Sequence, residues 1–245
     1  MRELFSKSWS SDIQLDGKTA IVTGANTGIG KETAKDLAKP IQNSARVILA
    51  CRDLLKAEQA ASDISRDVEN AIMVVRKLER ADTQSIYEFA ELIYNRHFFL
   101  TFLLMDLLKH SAPSSVINVS SLAHSMGKIH FEDLNSEKGY HPVKAYVQSK
   151  LPNILFTREL ATRVEEMRVS VYAVDPGLVK TDIIRHLKKS LQLFVKTRGF
   201  LIQTPAEGAY NTLYCALTPD LPTGIYYSNC AMVPYSPAGD SLEMR

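Results

Sequence analysis

The sequence has few cysteines, little net charge and no long hydrophobic run. Its 245 residues include three cysteines, Cys51, Cys215 and Cys230. Their odd number and the lack of CxxC spacing argue against a disulfide framework and favour a reducing compartment. A net charge of +2 is too small to indicate a nucleic-acid partner. Because no segment is long and apolar enough for a membrane span, we expect no transmembrane span and a soluble, cytoplasmic protein.

Metal-binding spacings are also missing from the sequence. The six histidines show neither HxxxH nor HExxH spacing, so we predict no metal site. His124, in the segment SLAHS, is interpreted as a loop or core histidine rather than a functional one.

Short β-branched segments alternate with longer helical patterns along the chain. This alternation predicts an α/β fold with a doubly wound parallel sheet of the Rossmann type. The predicted strands span residues 19–23, 46–50, 71–75, 115–119, 169–174 and 225–227. Among the predicted helices are one from about residue 146 to 166 and one from about residue 205 to 217. We expect one domain over residues 1–245, with an N-terminal extension (1–14), a substrate loop (182–203) and an irregular tail (231–245).

The alternation is interrupted once. From Ile86 to Lys109 the pattern stays helical, and no strand separates the third predicted strand from the segment at 115–119. A regular alternation would place a fourth strand within this stretch, so the sheet is predicted to lack it. This loss either leaves a gap in the sheet or brings the first strand beside the strand at 115–119.

A glycine-rich turn follows the first predicted strand and opens a helix. The segment from Thr23 to Gly30 reads TGANTGIG. In this context Gly24 permits a tight turn, Gly28 lets the backbone approach a pyrophosphate, and Gly30 allows close contact between helix and strand. The alternative is an ordinary strand–turn–helix connection, which the context makes the weaker interpretation.

The end of the second strand bears on the choice of cofactor. A carboxylate there binds the ribose 2′-hydroxyl of NAD, whereas an arginine accommodates the 2′-phosphate of NADP. The sequence has Arg52 at this point, with Asp53 after it. Arg52 favours NADP(H); the alternative is a solvated loop arginine.

A tyrosine and a lysine, Tyr146 and Lys150, are spaced to share one helix face one turn apart. An ammonium group favours the ionised form of a neighbouring phenol, which suits a general acid/base. YxxxK alone is common and usually marks a surface pair. Here Ser120 and Ser121 end an upstream strand, where a hydroxyl can project into the crevice at the sheet's carboxyl edge.

Together the motifs TGANTGIG, ACRD, NVSSLAH, YVQSK and DPGLVKT resemble the retinol dehydrogenase branch of the short-chain dehydrogenase/reductase family. The resemblance extends from Leu15 to about Cys230. It implies that Tyr146 is the general acid/base, that Lys150 stabilises its phenolate and binds nicotinamide ribose, and that Ser121 holds the substrate oxygen. The implied cofactor-binding residues are Thr23, Gly24, Gly28, Ile29, Gly30, Arg52, Glu79, Tyr146, Lys150, Pro176, Gly177, Val179 and Thr181.

The sequence departs from the family at identifiable points. The family's NNAG turn and the helix with its tetrad asparagine are missing, about 35 residues in all, more than loop-length variation explains. Asn95 does not replace that asparagine, because its flanks match the preceding helix. Glu79 stands where the family has the aspartate that contacts adenine. Pro152 lies inside the catalytic helix, at an expected cost of about 3 kcal/mol.

The resemblance implies an NADP-dependent oxidoreductase that interconverts an alcohol and a carbonyl compound, retinol and retinaldehyde or a similar lipophilic pair. The apolar residues of the 182–203 loop are compatible with such a substrate. A homodimer and peripheral association with the endoplasmic reticulum are further expectations. The alternative is a non-catalytic, cofactor-binding or partner-binding remnant, which the missing segment favours and the intact Ser121, Tyr146 and Lys150 oppose.

Overall fold

The computed structural model describes residues 15, 17–39, 45–78, 98–134, 138–179 and 203–240. The chain divides into two compact units. Unit 1 consists of Met1–Glu79 and Pro176–Thr218, and unit 2 of Arg80–Asp175 and Pro219–Arg245.

The strands and helices, in chain order, alternate as expected for an α/β protein. They are β1 (Thr19–Thr23), α1 (Gly28–Leu37), β2 (Arg46–Cys51), α2 (Leu54–Asp67), β3 (Ile72–Lys77), α3 (Met105–His110), β4 (Ser114–Val119), α4 (Pro142–Arg163), β5 (Val169–Asp175), α5 (Pro205–Leu217), β6 (Ile225–Ser228), β7 (Ala231–Val233) and α6 (Pro237–Asp240). Three 3₁₀ helices span Leu122–Met126, Phe131–Asp133 and Glu165–Met167.

Unit 1 contains a parallel sheet of three strands in the order β1–β2–β3. The central strand β2 is the most buried, with Val47 and Leu49 fully inaccessible to solvent. Its neighbours pair with it in continuous register, from Thr19 opposite Arg46 and from Arg46 opposite Ile72. Helices α1 and α5 pack together in this unit, and their apolar residues share one core with the strands.

Unit 2 contains a sheet of four strands in the order β4–β5–β6–β7. The first three are parallel, and β7 runs antiparallel to β6. Helix α4 packs on β5 and β4 through a largely buried face that includes Leu151, Ile154 and Leu160. The carboxyl ends of β4 and β5 lie side by side, because Val119 pairs with Val174.

The predicted α/β fold with parallel strands is confirmed, and the predicted strands are found within one or two residues of their expected ends. Among the described residues, β1 and β4 belong to separate sheets, so they do not pair with each other.

Two local expectations need correction. The tail predicted to be irregular from residue 231 instead forms β7 and the short helix α6, because β6 offers β7 an antiparallel partner.

Helix α4 begins at Pro142, four residues before the predicted start. A proline fits the first helical turn, and the His141 side chain accepts a bond from the main-chain N–H of Lys144. Pro152 lies inside α4, which continues through it to Arg163.

Candidate active site

The glycine-rich turn of unit 1 has the backbone geometry that its sequence predicts. Gly24 and Gly28 have φ angles of +67° and +58°, a left-handed conformation that glycine adopts without strain. A Cβ atom on Gly30 would lie 2.7 Å from the Gly24 carbonyl oxygen. A side chain on Gly24 or Gly28 would strain the backbone, and one on Gly30 would clash with the Gly24 carbonyl group.

Helix α1 begins at Gly28, and no side-chain cap of its first N–H groups is found among the residues that the structure describes. The preceding residue, Thr27, makes no side-chain capping bond to the helix, so the first N–H groups are left for another acceptor. The turn itself is held by the sheet, because the Gly24 N–H donates to the Ala50 carbonyl oxygen at 3.0 Å and Thr23 lies opposite Ala50. Ile29 packs against the unit 1 core and fixes the helix. Such a helix start suits an anion.

Arg52 and Asp53 follow β2, and their side chains differ in the hydrogen bonds and ion pairs that they form. The Asp53 carboxylate accepts a hydrogen bond from the Lys56 N–H at 3.1 Å and lies 3.2 Å from the Lys56 ammonium. These bonds hold the pKa of the Asp53 carboxyl below its usual range. Arg52 is exposed, and no ion pair of its guanidinium is found within the described part of the chain. The carboxylate is therefore occupied at the start of α2, while the guanidinium is available.

The segment after β5 is pinned by a backbone contact within unit 1. Val179 forms an isolated parallel bridge with Gln203, and the Gln203 N–H donates to the Leu178 carbonyl at 2.7 Å. Gly177, which follows Pro176, has φ +77°, and a Cβ there would lie 2.6 Å from the Gln203 side-chain oxygen. Glu79 and Thr181, together with residues 182–202 of the predicted substrate loop and the 1–14 extension, lie outside the described residues.

Tyr146 and Lys150 of unit 2 lie on one face of α4, as their spacing predicts. The Lys150 ammonium is 5.3 Å from the centre of the Tyr146 ring and 3.4 Å from the carbonyl oxygen of Val119, to which it donates. Burial lowers the pKa of the Lys150 ammonium, and the negative charge of Asp175 partly offsets that effect. A cation is thus held beside a phenol.

Ser120 and Ser121, directly after β4, point their hydroxyls to different partners. Ser120 is buried, and its hydroxyl donates to the Lys150 carbonyl oxygen at 2.8 Å. The Ser121 hydroxyl oxygen caps the 3₁₀ helix Leu122–Met126 by accepting the Ala123 N–H at 3.2 Å. Ser120 therefore joins the strand end to α4, and Ser121 keeps a hydroxyl proton for another acceptor.

A buried polar ladder joins the end of β4 to α4 beneath Lys150. The Asn118 amide donates to the Thr157 hydroxyl at 2.9 Å, and that hydroxyl donates to the Asn153 carbonyl at 2.7 Å. The Asn153 amide donates to the Val119 carbonyl at 3.1 Å, the same oxygen that Lys150 contacts. These bonds hold α4 in a fixed position relative to the end of β4, which the two serines directly follow.

Three further residues lie beside this site: Asp175 and Tyr226, which were not identified from the sequence, and His124, which the sequence analysis interpreted as a loop or core histidine. His124 and Tyr226 are 2% and 1% exposed, and their rings meet edge to face with centres 4.8 Å apart. Burial raises the pKa of Tyr226, and Asp175 and Tyr146 act in the same direction. The only sequence signal was the spacing of His124 three residues after Ser121; nothing in the sequence singled out Tyr226.

Metal ligation and membrane spanning are not evident in the parts of the chain that are described. Residues 17–39, 45–78, 98–134, 138–179 and 203–240 contain no group of three or more potential metal-ligating side chains. No helix in these ranges has the length and apolar character that crossing a bilayer requires.

A family comparison matches most of the chain. The profile of the short chain dehydrogenase family matches residues 18–96 and 68–192, in two overlapping segments. The two segments together contain the glycine-rich turn, Ser121, Tyr146 and Lys150.

Similar proteins of known name are retinol dehydrogenases. Retinol dehydrogenase 12 of Homo sapiens is 44% identical over 264 aligned positions, which cover 93% of this chain and 82% of the relative. Retinol dehydrogenase 11 of Mus musculus is also 44% identical, over 96% of this chain and 86% of the relative. An alignment of 264 positions is longer than the 245 residues of the chain, so part of the human relative has no counterpart here.

Solved structures with the same fold include proteins of low sequence identity. An uncharacterized protein from Mycobacterium Paratuberculosis has a TM-score of 0.71 and 29% identity, with 94% of this chain and 90% of that chain covered. A 3-ketoacyl-(acyl-carrier-protein) reductase from Brucella melitensis, complexed with NADH, has a TM-score of 0.66 and 16% identity, with 88% and 97% covered.

Proposed function

Because the chain belongs to the short-chain dehydrogenase family, in its retinol dehydrogenase-like branch, we propose that it interconverts a lipophilic alcohol and its carbonyl compound with NADP(H) as cofactor. Family membership gives the oxidoreductase class. The single observation that supports this chemistry most directly is the Lys150 ammonium held 5.3 Å from the Tyr146 ring centre.

Tyr146 is the proposed general acid/base. In the oxidative direction its phenolate accepts the proton of the substrate hydroxyl, and in the reductive direction its phenol donates a proton to the carbonyl oxygen. Lys150 stabilises the phenolate through its charge, and partial burial strengthens this attraction because less water screens it. The Val119 carbonyl and the neighbouring Asn153 keep the ammonium near the strand end.

Ser121 is the proposed ligand of the substrate oxygen. Its hydroxyl oxygen already accepts the Ala123 N–H, so its remaining proton is the group that can be donated to a substrate oxygen. The neighbouring Ser120 is excluded from this role because its hydroxyl donates to the Lys150 carbonyl.

The glycine-rich turn fits the pyrophosphate of a dinucleotide. Its positive φ angles, the close approach at Gly30 and the uncapped start of α1 together provide free N–H donors at a helix start that attracts anions. Thr23, Gly24, Gly28, Ile29 and Gly30 form this part of the proposed site. When bound, the nicotinamide group supplies or accepts the hydride that the reaction requires.

Further residues of the proposed cofactor site lie elsewhere in the chain. Lys150 binds the nicotinamide ribose, and the segment with Pro176, Gly177 and Val179 borders the nicotinamide. Glu79 and Thr181 stay predictions from the family resemblance.

Arg52 supports the choice of NADP(H) over NAD(H). An NAD-specific site needs a free carboxylate near the adenosine ribose. Here the nearest carboxylate in sequence, Asp53, is bound to the start of α2 by Lys56, whereas the Arg52 guanidinium is exposed. A guanidinium matches a phosphate in charge and geometry.

A lipophilic substrate is supported by apolar side chains beside Ser121. Leu122 and Met126, on the 3₁₀ helix that Ser121 begins, are 64% and 73% exposed. Exposed apolar side chains next to a reactive hydroxyl offer a surface for an apolar ligand. The names of the similar retinol dehydrogenases support a retinoid or a compound of similar length as the first substrate to test.

Turnover of purified protein with NADPH and all-trans-retinal tests the proposal. Tyr146→Phe removes only the acid/base hydroxyl, so we expect cofactor binding to persist while kcat falls by at least about 100-fold. Tyr140→Phe is the matched control, because Tyr140 is 72% exposed and outside the proposed site. Near-wild-type turnover of Tyr146→Phe would refute the assignment.

The cofactor assignment is tested by Arg52→Ala. Loss of a charge-assisted phosphate contact should weaken NADPH binding by about 10-fold to 100-fold and leave NADH binding nearly unchanged. Arg66→Ala, an exposed arginine of α2, controls for the loss of a surface charge. Equal losses for both cofactors would show that Arg52 does not select NADP.

A non-catalytic, cofactor-binding protein is the second candidate. The part of the human relative that has no counterpart in this chain favours this candidate. NADPH binding by the wild-type protein without turnover of any lipophilic carbonyl would select this candidate. A homodimer and a cytoplasmic location with peripheral endoplasmic reticulum association stay predictions, to be tested by analytical ultracentrifugation and by cell fractionation.

A further inference from the structure

His124 occupies the interior of the loop that begins with Ser121. Its side chain is 2% exposed, and its Nδ1 atom lies 2.7 Å from the carbonyl oxygen of Ser121. The main-chain N–H of His124 donates to the same oxygen at 3.0 Å. Two donors from one residue therefore hold the carbonyl group of the proposed substrate-binding serine.

This contact fixes the tautomer of the imidazole. A carbonyl oxygen can only accept a hydrogen bond, so Nδ1 must carry the proton and donate it. The other ring nitrogen, Nε2, is buried and has no hydrogen-bond partner among the described residues. The ring plane is set by Tyr226, whose ring lies edge-on at 4.8 Å with an interplanar angle of 74°.

The far end of the same 3₁₀ helix is also fixed. The Gly127 N–H donates to the His124 carbonyl oxygen at 2.9 Å. A Cβ atom on Gly127 would lie 3.0 Å from the Leu151 Cβ and 3.1 Å from the Val147 carbonyl oxygen, so this end packs tightly on α4. The orientation of Ser121 then depends on the contact at the beginning of the helix.

We propose that His124 is a positioning residue, whose Nδ1–H bond to the Ser121 carbonyl orients the Ser121 hydroxyl toward the substrate oxygen. The proposal rests on the proposed function, because it assigns His124 a role through Ser121. The Ala123 N–H bond to the Ser121 hydroxyl and the His124 bond to its carbonyl hold the serine at two atoms. The hydroxyl proton then remains available for donation to the substrate oxygen.

Two amide substitutions separate the roles of the ring nitrogens. In His124→Asn the side-chain amide occupies the place of Nδ1 and can still donate to the Ser121 carbonyl, whereas in His124→Gln the amide occupies the place of Nε2. We expect His124→Gln to lower kcat/KM about tenfold, the effect of one lost hydrogen bond, and His124→Asn to recover most of that loss. NADPH affinity should stay unchanged in both. His130→Gln is the matched control, since His130 is exposed and makes no side-chain capping bond.

A double-mutant cycle with Ser121→Ala distinguishes positioning from a general structural effect. If His124 acts through Ser121, His124→Gln should have no further effect on kcat/KM once the serine hydroxyl is gone. Additive losses, or equal losses in His124→Asn and His124→Gln, would overturn the proposal.

Two measurements decide the proposal without enzyme turnover. Nitrogen NMR of histidine-labelled wild-type protein should show a protonated Nδ1 for one histidine resonance that disappears in His124→Asn. Hydrogen exchange of residues 122–126 should accelerate in His124→Gln and not in His130→Gln. An Nδ1 without a proton, or unchanged exchange, would refute the role of His124 even if the wild-type protein proves inactive, an outcome that would refute the proposed function alone.

Discussion

Replacement of Pro152 by alanine should stabilise the protein. Pro152 has no N–H group to donate to the carbonyl oxygen of Gln148, yet α4 continues through it to Arg163. Relative to alanine, proline costs about 3 kcal/mol in a helix interior. Two effects oppose the gain: alanine makes the unfolded chain more flexible, by about 0.4–1 kcal/mol, and loses part of the half-buried ring, by about 0.8 kcal/mol.

The net expected stabilisation is about 1.5 kcal/mol, which corresponds to a rise of about 3–6 °C in the thermal midpoint for a protein of this size. Thermal unfolding followed by circular dichroism, with urea unfolding in parallel, measures both quantities. Pro142→Ala is the control within the same helix, because Pro142 lies in the first turn, where proline is favourable. A midpoint for Pro152→Ala at or below that of the wild type would show that the lost hydrogen bond is compensated.

Two further predictions concern unit 1. Amide hydrogen exchange should be faster in β1 than in β2, because β1 pairs on one side within the described sheet while β2 pairs on both; equal protection of the two strands would contradict this. The bond from Lys31 at 2.6 Å, followed by the bond from Gln59, lowers the pKa of the Asp63 carboxyl. The stability that this ionised carboxylate contributes is present above the unfolded-state pKa of about 3.9 and is lost as the pH falls through the lower pKa of the folded state. We therefore expect the urea midpoint of the wild type to fall between about pH 5 and pH 2, and the midpoint of Asp63→Asn to fall less over the same range.

The strands could be predicted from the sequence because a buried parallel strand consists of a short β-branched segment. The predicted first strand and the helix at 205–217 match β1 and α5 without change. The beginning of α4 was missed because its cap is a histidine, which lacks the capping preference of serine or aspartate. The strand β7 was missed because its three residues owe their conformation to pairing with β6, a contact between residues that no local pattern encodes.

The candidate site likewise has a part that local sequence patterns predict and a part that depends on contacts between distant residues. Tyr146, Lys150 and the glycine turn were predictable, since each belongs to a motif with fixed spacing on one element. The partners of Lys150 were not, because Val119 and Asp175 come from different strands and meet it only in the folded sheet. The buried contact between His124 and Tyr226 joins residues about a hundred positions apart, and such proximity depends on the topology of unit 2.

The bridge between Val179 and Gln203 has a consequence for how this protein can diversify. The bridge holds Val179 and Gln203 side by side. The distance between the points at which the intervening segment leaves and rejoins the described part of unit 1 is therefore fixed. The entropic cost of closing a loop grows slowly, by about 0.6 kcal/mol for each doubling of its length. We therefore expect that added residues between Val179 and Gln203, in the segment predicted to contact the substrate, would raise the closure cost of the bridge only slightly. Selection could exchange one substrate preference for another there without rebuilding the glycine turn.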